Sequence, residues 1–391
     1  MKLTDLKAGF IPLVDAAPFI VARELGFAEE EGIALHLAKA PSWSTLRDWV
    51  AIGQIDAAHM LSPVPVAAAL GLGGIATRLN ALSVLSVNGN VIGVSTDLAQ
   101  RMRDAGHRFD FQDPKAAGPA LMAAVDGRLR IGVPFPFSMH AELLYYWLGT
   151  MGVQAPQGLD VRTIPPPLMA DAMARGEIDA FCVGEPWGSI AVDTNVGALL
   201  LPGNAIWARA PEKVLAVRES WAEDAPELAH RLVRALWRAG RWLGLAANQA
   251  TASEILSRPE YLDVSAEVLE RSLSGRMVIS PQGDLRVCEA MIAFHAGAAT
   301  FPWRSQAAWI AERLAARTGL DRETIPQAVQ VFRADIYRQA LAPLHVDLPG
   351  ASEKLEGAIE VPTEVASASG TLILAPDQFF DGKIYDPSTD E

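Results

Sequence analysis

The sequence predicts an α/β protein of two similar lobes with mostly parallel sheets. Three features carry that reading. Short apolar strands alternate with amphipathic helices through the first half of the chain. The pattern G-x-I-D-A occurs twice, as Gly53-Gln54-Ile55-Asp56-Ala57 and as Gly176-Glu177-Ile178-Asp179-Ala180. Each copy follows a predicted helix, leads into a short strand, and has a proline ten residues after its glycine, Pro63 and Pro186. Between the copies lies Asn88-Gly89-Asn90, a turn or hinge signal flanked by apolar segments. A duplicated lobe explains all three.

Leu6, Ala8 and Phe10 alternate as a first strand, which Ile11-Pro12 ends. Asp15 is placed to cap a helix bearing Ala17, Ile20, Val21 and Leu25 on one face. Gly26 and Gly32 punctuate its end, and Ile33, Leu35 and Leu37 alternate as a second strand. A helix over 42–52 and a strand near 57–61 follow. The same grammar returns later. Leu129, Ile131 and Val133 form a strand, 139–151 a helix, 161–164 a strand, 168–175 a helix and 180–183 a strand. The chain is expected to cross to the second lobe at Asn88-Gly89-Asn90 and to return near 200–204. The organisation is then 1–89 for the first part of lobe I, 90–200 for an inserted lobe II and 201–346 for the return to lobe I with a helical region. In that region Leu228, Leu232, Leu236 and Trp237 form one buried stripe. From 347 to 391 the chain turns acidic and rich in Pro, Gly and Ser, and is expected to pack on the surface as a tail.

Thirty-three basic residues against 46 acidic ones leave a formal charge of −13. Such a surface resists non-specific contact with nucleic acid and anionic membranes, so any control over a nucleic acid would pass through another protein. An anionic ligand would need positive character gathered in a pocket. The two cysteines, Cys182 and Cys288, form no CxxC and read as buried free thiols. No metal site and no cofactor is expected. Asp5 and Lys7 interrupt the N-terminus before a signal-peptide hydrophobic region can form, which points to a cytoplasmic protein. Two uncharged stretches, 57–77 and 79–96, are broken by Pro and Gly or by Asn and Ser, and so read as strands and short helices rather than spans.

Ser42-Trp43-Ser44-Thr45 opens a predicted helix. Its free N–H groups and hydroxyls suit a small anion, and Trp43 adds an indole donor on an apolar plate. The same four residues also suit an ordinary N-cap with a packing tryptophan. His140 begins the helix after the 134–138 turn, the equivalent mouth position of lobe II, though it also suits a structural histidine. Lys213, in Ala210-Pro211-Glu212-Lys213-Val214, offers the compact positive charge a monoanion needs, or is a plain surface lysine. There is no GxGxxG opening a helix, no GxxxxGK[ST], no GxSxG and no HExxH, and Gly71-Leu72-Gly73-Gly74 lacks the context of a phosphate cradle. An enzyme is not expected.

These residues resemble, in order, the nitrate- and bicarbonate-binding family of ABC-transporter solute receptors. The carrying segments are Gly9-Phe10-Ile11-Pro12 with Asp15-Ala16-Ala17-Pro18, Ser42-Trp43 with Arg47-Asp48, and Ile55-Asp56-Ala57-Ala58-His59. Gly184-Glu185-Pro186-Trp187, Pro211-Glu212-Lys213 and Phe379-Phe380-Asp381-Gly382 complete them. The resemblance implies a class II periplasmic-binding-protein fold with ligand held between the lobes. It implies a ligand-binding set of Trp43, Asn90, His140 and Lys213, with Ser42, Thr45, Gly184 and Glu185 beside them. Asn90 stands where the family often has Gln, and Lys213 where bicarbonate binders are expected to carry an acid. Together with the apparent lack of an export signal, the resemblance points to the family's NasS-type branch. Those proteins are cytoplasmic nitrate/nitrite sensors that control an ANTAR-domain RNA-binding antiterminator of the NasT type. The alternative is the receptor of a nitrate, bicarbonate or cyanate ABC transporter whose signal has been removed.

Overall fold

A computed structural model describes residues 2–74, 76–367 and 370–388. Two main sheets are built, among the described residues, from β1 (Thr4–Phe10), β2 (Ile33–Lys39), β3 (Ala57–Leu61), β4 (Leu79–Asn88), β5 (Asn90–Ser95), β6 (Arg130–Val133), β7 (Asp160–Thr163), β8 (Ala180–Gly184), β9 (Gly197–Pro202) and β10 (Pro211–Arg218), with one further short strand. One sheet runs β2-β1-β3-β10-β4, with Ile292–Ala293 added beyond β4; the other runs β7-β6-β8-β5-β9. The orders correspond strand for strand. In each, the first three strands are parallel and the fourth is antiparallel to both neighbours. This is the mixed α/β fold of periplasmic binding proteins, with one sheet per lobe.

The repeated G-x-I-D-A pattern does the same work in both sheets. Gly53 (φ 80°) and Gly176 (φ 66°) adopt the left-handed conformation that ends the preceding helix, where a Cβ would be strained. Asp56 then accepts the Lys7 N–H of β1 at 2.9 Å, and Asp179 accepts the Arg130 N–H of β6 at 3.1 Å. Each carboxylate satisfies a donor left over where the parallel pairing begins.

Asn88 (φ 63°) and Gly89 (φ 98°) turn the chain out of β4 and into β5. The Asn88 amide pins that turn to the segment that leads back into β10. It donates to Ala208 O at 2.9 Å and accepts from Ala210 N–H at 3.1 Å. Both crossings are therefore held by one side chain. One face of the first sheet packs against Ala17–Glu24, Pro226–Leu243 and Ala334–Leu341. Leu232, Val233, Leu236, Trp237 and Leu243 line the buried stripe of Pro226–Leu243, while Leu228 is only half-buried. Each fully buried aliphatic side chain there contributes about 1.5–3 kcal/mol. The other face, with Trp43–Ala51 and Arg304–Thr318, is continuous with the core of the second lobe.

Three sequence expectations change. Asp15 caps no helix: it lies in a 3-10 turn, Val14–Ala16, and its carboxylate turns inward to His59 and Lys213. The helix that His140 opens, Met139–Gly149, follows β6, so its counterpart in the first lobe is the helix after β1, not the one opened by Trp43. The mouth position equivalent to His140 is therefore the turn that carries Asp15. The tail also goes beyond surface packing, because it delivers buried groups. Lys354 pairs with Glu356 at 2.6 Å and with Asp377, and Ser305 donates to Glu356 at 2.6 Å. Phe379 stacks on Trp207 with centroids 4.7 Å apart, and Asp381 takes the hydroxyl of Tyr146 at 2.8 Å.

Candidate binding site between the lobes

β10 is apolar except for Glu212, Lys213 and the terminal Arg218, and it is buried from Pro211 to Val217. Charged side chains on such a strand must find partners inside the protein. Lys213 Nζ donates to Asp15 Oδ2 at 2.6 Å and to Glu212 Oε1 at 2.8 Å. Asp15 Oδ1 accepts from His59 Nε2 at 2.8 Å, and Asn90 Nδ2 donates to Glu212 Oε2 at 2.5 Å. His140 Nδ1 lies 3.3 Å from Glu212 Oε1 without the alignment of a hydrogen bond. The Trp43 ring covers the ammonium, with Lys213 Nζ 5.5 Å from its centroid, and meets the His59 ring at 5.7 Å. A Cβ on Gly184 would lie 3.6 Å from His140 Nε2 and 3.7 Å from Asn90 Oδ1, so both atoms face that small residue.

The cluster straddles the two lobes. Asp15, Trp43, His59, Glu212 and Lys213 come from the first sheet and its turns; Asn90, His140 and Gly184 come from the second. Asp15, His140 and Gly184 follow or end β1, β6 and β8, the carboxyl ends of parallel strands where α/β folds bind ligands. None of the polar side chains is more than 2 % exposed.

The electrostatics correct the expectation for Lys213. It is not a free charge awaiting an anion, because two carboxylates already hold it. Burial alone would raise the Asp15 carboxyl, but Lys213 and His59 pull it down to about 2. Burial pushes Glu212 up, against the pull of Lys213. Burial, joined by the Lys213 charge, holds His140 well below the usual imidazole range. Burial also lowers His59, opposed by Asp15.

Five buried polar atoms of this cluster have no hydrogen-bond partner among the described residues: Trp43 Nε1, His59 Nδ1, Asn90 Oδ1 and both nitrogens of His140. Buried polar groups are normally paired, and leaving one unpaired costs about 1–3 kcal/mol. So many at one place, on both lobes, equip it to bind a small polar ligand.

The remaining sequence candidates fall outside the cluster. Ser42 Oγ accepts the Thr45 N–H at 3.2 Å and meets Thr45 Oγ1 at 2.9 Å, so both hydroxyls are engaged in the cap of their own helix. The Glu185 carboxylate faces Ser189 N–H at 3.2 Å and Ser272 Oγ at 3.3 Å, and burial pushes it up to about 7. Its backbone joins the lobes instead: Val14 N–H donates to Glu185 O at 2.9 Å, beside Trp187 Nε1 on Pro12 O at 2.8 Å. Sequence reasoning gives Asp15, His59 and Glu212 no place in the site. Their signals are an ionisable residue in an otherwise apolar run, alone for Asp15 and His59 and beside Lys213 for Glu212, and a place in the segments that carry the family resemblance. Among the described residues no group of three or more metal-ligating side chains is placed to hold a metal ion.

The profile of the NMT1-like family matches residues 1–257. The chain is 29% identical over 400 residues to the nitrate/nitrite binding protein NrtA of Nostoc sp. PCC 7120, covering 100% of this chain and 85% of that protein. It is 32% identical over 348 residues to the nitrate import ATP-binding protein NrtC of Synechocystis sp. PCC 6803, covering 87% of this chain but only 50% of that protein's length. The crystal structure of the periplasmic nitrate-binding protein NrtA from Synechocystis PCC 6803 superposes with a TM-score of 0.82 at 26% identity, covering 99% of this chain and 96% of that one.

Proposed function

The chain belongs to the NMT1-like family, and from that premise we propose that it binds nitrate or nitrite between its lobes and catalyses no reaction on it. The observation that carries the reading is a pair of N–H donors without a partner among the described residues, the Trp43 indole on one lobe and the His140 imidazole on the other, beside Lys213 and sealed from solvent. Nitrate is small, planar and weakly hydrated, so a few directed N–H donors replace its water at modest cost. The similarity to nitrate/nitrite binding proteins along the whole chain supports the same ligand. Calorimetric titration of metal-free protein with nitrate, nitrite, bicarbonate and sulfate tests it. Nitrate or nitrite is expected to bind in preference to the other two. A strong preference for bicarbonate, enhanced by calcium, overturns the assignment.

The finer part of the proposal concerns the use made of the ligand. In this reading the protein works in the cytoplasm as a sensor whose ligand state controls an ANTAR-domain antiterminator, and through it nitrate-assimilation genes. The net charge of −13 supports a protein that acts on RNA through a partner rather than by touching it. The second reading is the receptor of a nitrate ABC transporter. The 32% identity to part of a nitrate import protein favours it.

A further inference from the structure

The polar contacts around His140 cannot all be satisfied by a neutral imidazole once an anion arrives. Nδ1 lies 3.3 Å from Glu212 Oε1, and Nε2 faces Gly184 beside Asn90 Oδ1. A neutral ring has one N–H and one lone pair. If Nδ1 carries the proton, Nε2 turns a lone pair towards the ligand's oxygens. If Nε2 carries it, Nδ1 turns a lone pair on the Glu212 carboxylate. Only the imidazolium donates on both sides.

The charge count leads to the same place. Lys213 is shared by Asp15 and Glu212, so one ammonium already faces two carboxylates. Glu212 is set up as an acceptor on both oxygens, with Asn90 Nδ2 on Oε2 and Lys213 Nζ on Oε1. The other titratable groups around His140 have neighbours of their own, although His59 Nδ1 and Glu185 Oε1 lack a hydrogen-bond partner among the described residues. His59 Nε2 is engaged by Asp15, the Cys182 thiol is held neutral by burial and by the nearby Glu212, and Glu185 faces Ser189 and Ser272. Glu142, two residues along the same helix, pairs with Arg317 at 2.6 Å. A monoanion added to this sealed group with no accompanying cation would be a further uncompensated buried charge.

Resting on the nitrate/nitrite reading above, we propose that the site takes up its anion together with one proton, held by the His140–Glu212 pair. The two groups titrate as a unit, so the proton belongs to the pair. The direction of the pH dependence follows. Burial and Lys213 hold the free imidazole well below its usual range, and Glu212 accepts on both oxygens, so the free pair carries no proton and the bound state holds one more. Affinity therefore falls as pH rises, by about tenfold per pH unit while uptake is complete.

Titration of the full chain with potassium nitrate at pH 7.5, in HEPES and in Tris, reads the proton count from the difference in binding enthalpy between buffers of different ionisation enthalpy. One proton taken up per nitrate is expected, with Kd about tenfold weaker at pH 8 than at pH 7. In Glu212→Gln one carboxylate charge is gone; nitrate is expected to bind without proton uptake and with a flat pH profile. A group that only shapes the pocket would leave the count at one. Nitrate binding with no proton exchange by the unaltered protein overturns this inference alone, whether or not the variant folds. No binding of nitrate or nitrite between pH 6 and 8 overturns the ligand assignment, and this inference with it.

Discussion

At the scale of single residues, the site turns on a tryptophan whose two roles separate experimentally. Trp43 is buried, and its Nε1 has no partner among the described residues. Trp43→Phe keeps most of the apolar plate over Lys213 and deletes only that donor. The free protein loses no hydrogen bond, so its melting temperature is expected to move by no more than about 2 °C. A hydrogen bond to an anion is worth about 1.5–3 kcal/mol, so nitrate affinity is expected to fall by about ten- to a hundredfold. Calorimetry and a thermal melt on one sample read both. A large loss of stability with unchanged affinity makes Trp43 a packing residue. The residues around it were unevenly legible. Trp43, His140 and Lys213 stand out by type, and the structure brings them together with Asn90 and Gly184. Asp15 reads locally as a cap. Its partner Lys213 is 198 positions away, and no local pattern reports a contact at that separation.

At the scale of elements, the repeated G-x-I-D-A turn shows how a short pattern encodes geometry. A glycine ends a helix, and three positions later an aspartate caps the neighbouring strand, in both lobes. The tail is the contrary case. Its composition reads as surface, yet Phe379 is 3 % exposed and packs between Trp207 and Trp309, while Ile384 close by is 58 % exposed. Deleting a buried aromatic ring removes its transfer energy and leaves a cavity. Phe379→Ala is therefore expected to destabilise the protein by about 3–5 kcal/mol in urea unfolding. Ile384→Ala is expected to stay within about 0.5 kcal/mol. Equal, small effects from the two would show that the tail is an ornament. The tail also reaches the second lobe, through Asp381 on Tyr146 of the Met139–Gly149 helix. This anchors the helix that carries His140 to the C-terminal segment.

At the scale of the whole molecule, a ligand shifts the balance between two arrangements of the lobes only through different affinity for each. The candidate site has donors on both lobes, so an anion bound there favours their approach. A partner that grips the separated lobes would be released as nitrate binds, and by linkage it would weaken nitrate binding by the same factor. A coupling of about 1–3 kcal/mol is usual for such pairs. A complex with an ANTAR-domain antiterminator is expected to dissociate on size-exclusion chromatography when nitrate is added. His140→Ala is expected to hold it together at nitrate levels that split the unaltered complex. A complex that persists at saturating nitrate removes the sensor and leaves the transporter receptor as the better account.

The sequence by itself determined the α/β class, the paired strand–helix grammar and the turn at Asn88-Gly89-Asn90. These follow from local rules: apolar period, glycine at positive φ, and capping chemistry. Tertiary structure alone decided which ionisable residues face one another. Lys213 is an available cation in the sequence and a shared ion partner in the fold, because Asp15 arrives from the turn after β1 and Glu212 lies next to it on β10. His140 acquires its counterpart in the same way, through an order of strands that no segment of the chain carries alone. Coulomb forces in a buried site depend on distance and desolvation, and both are set only when the two sheets are brought together.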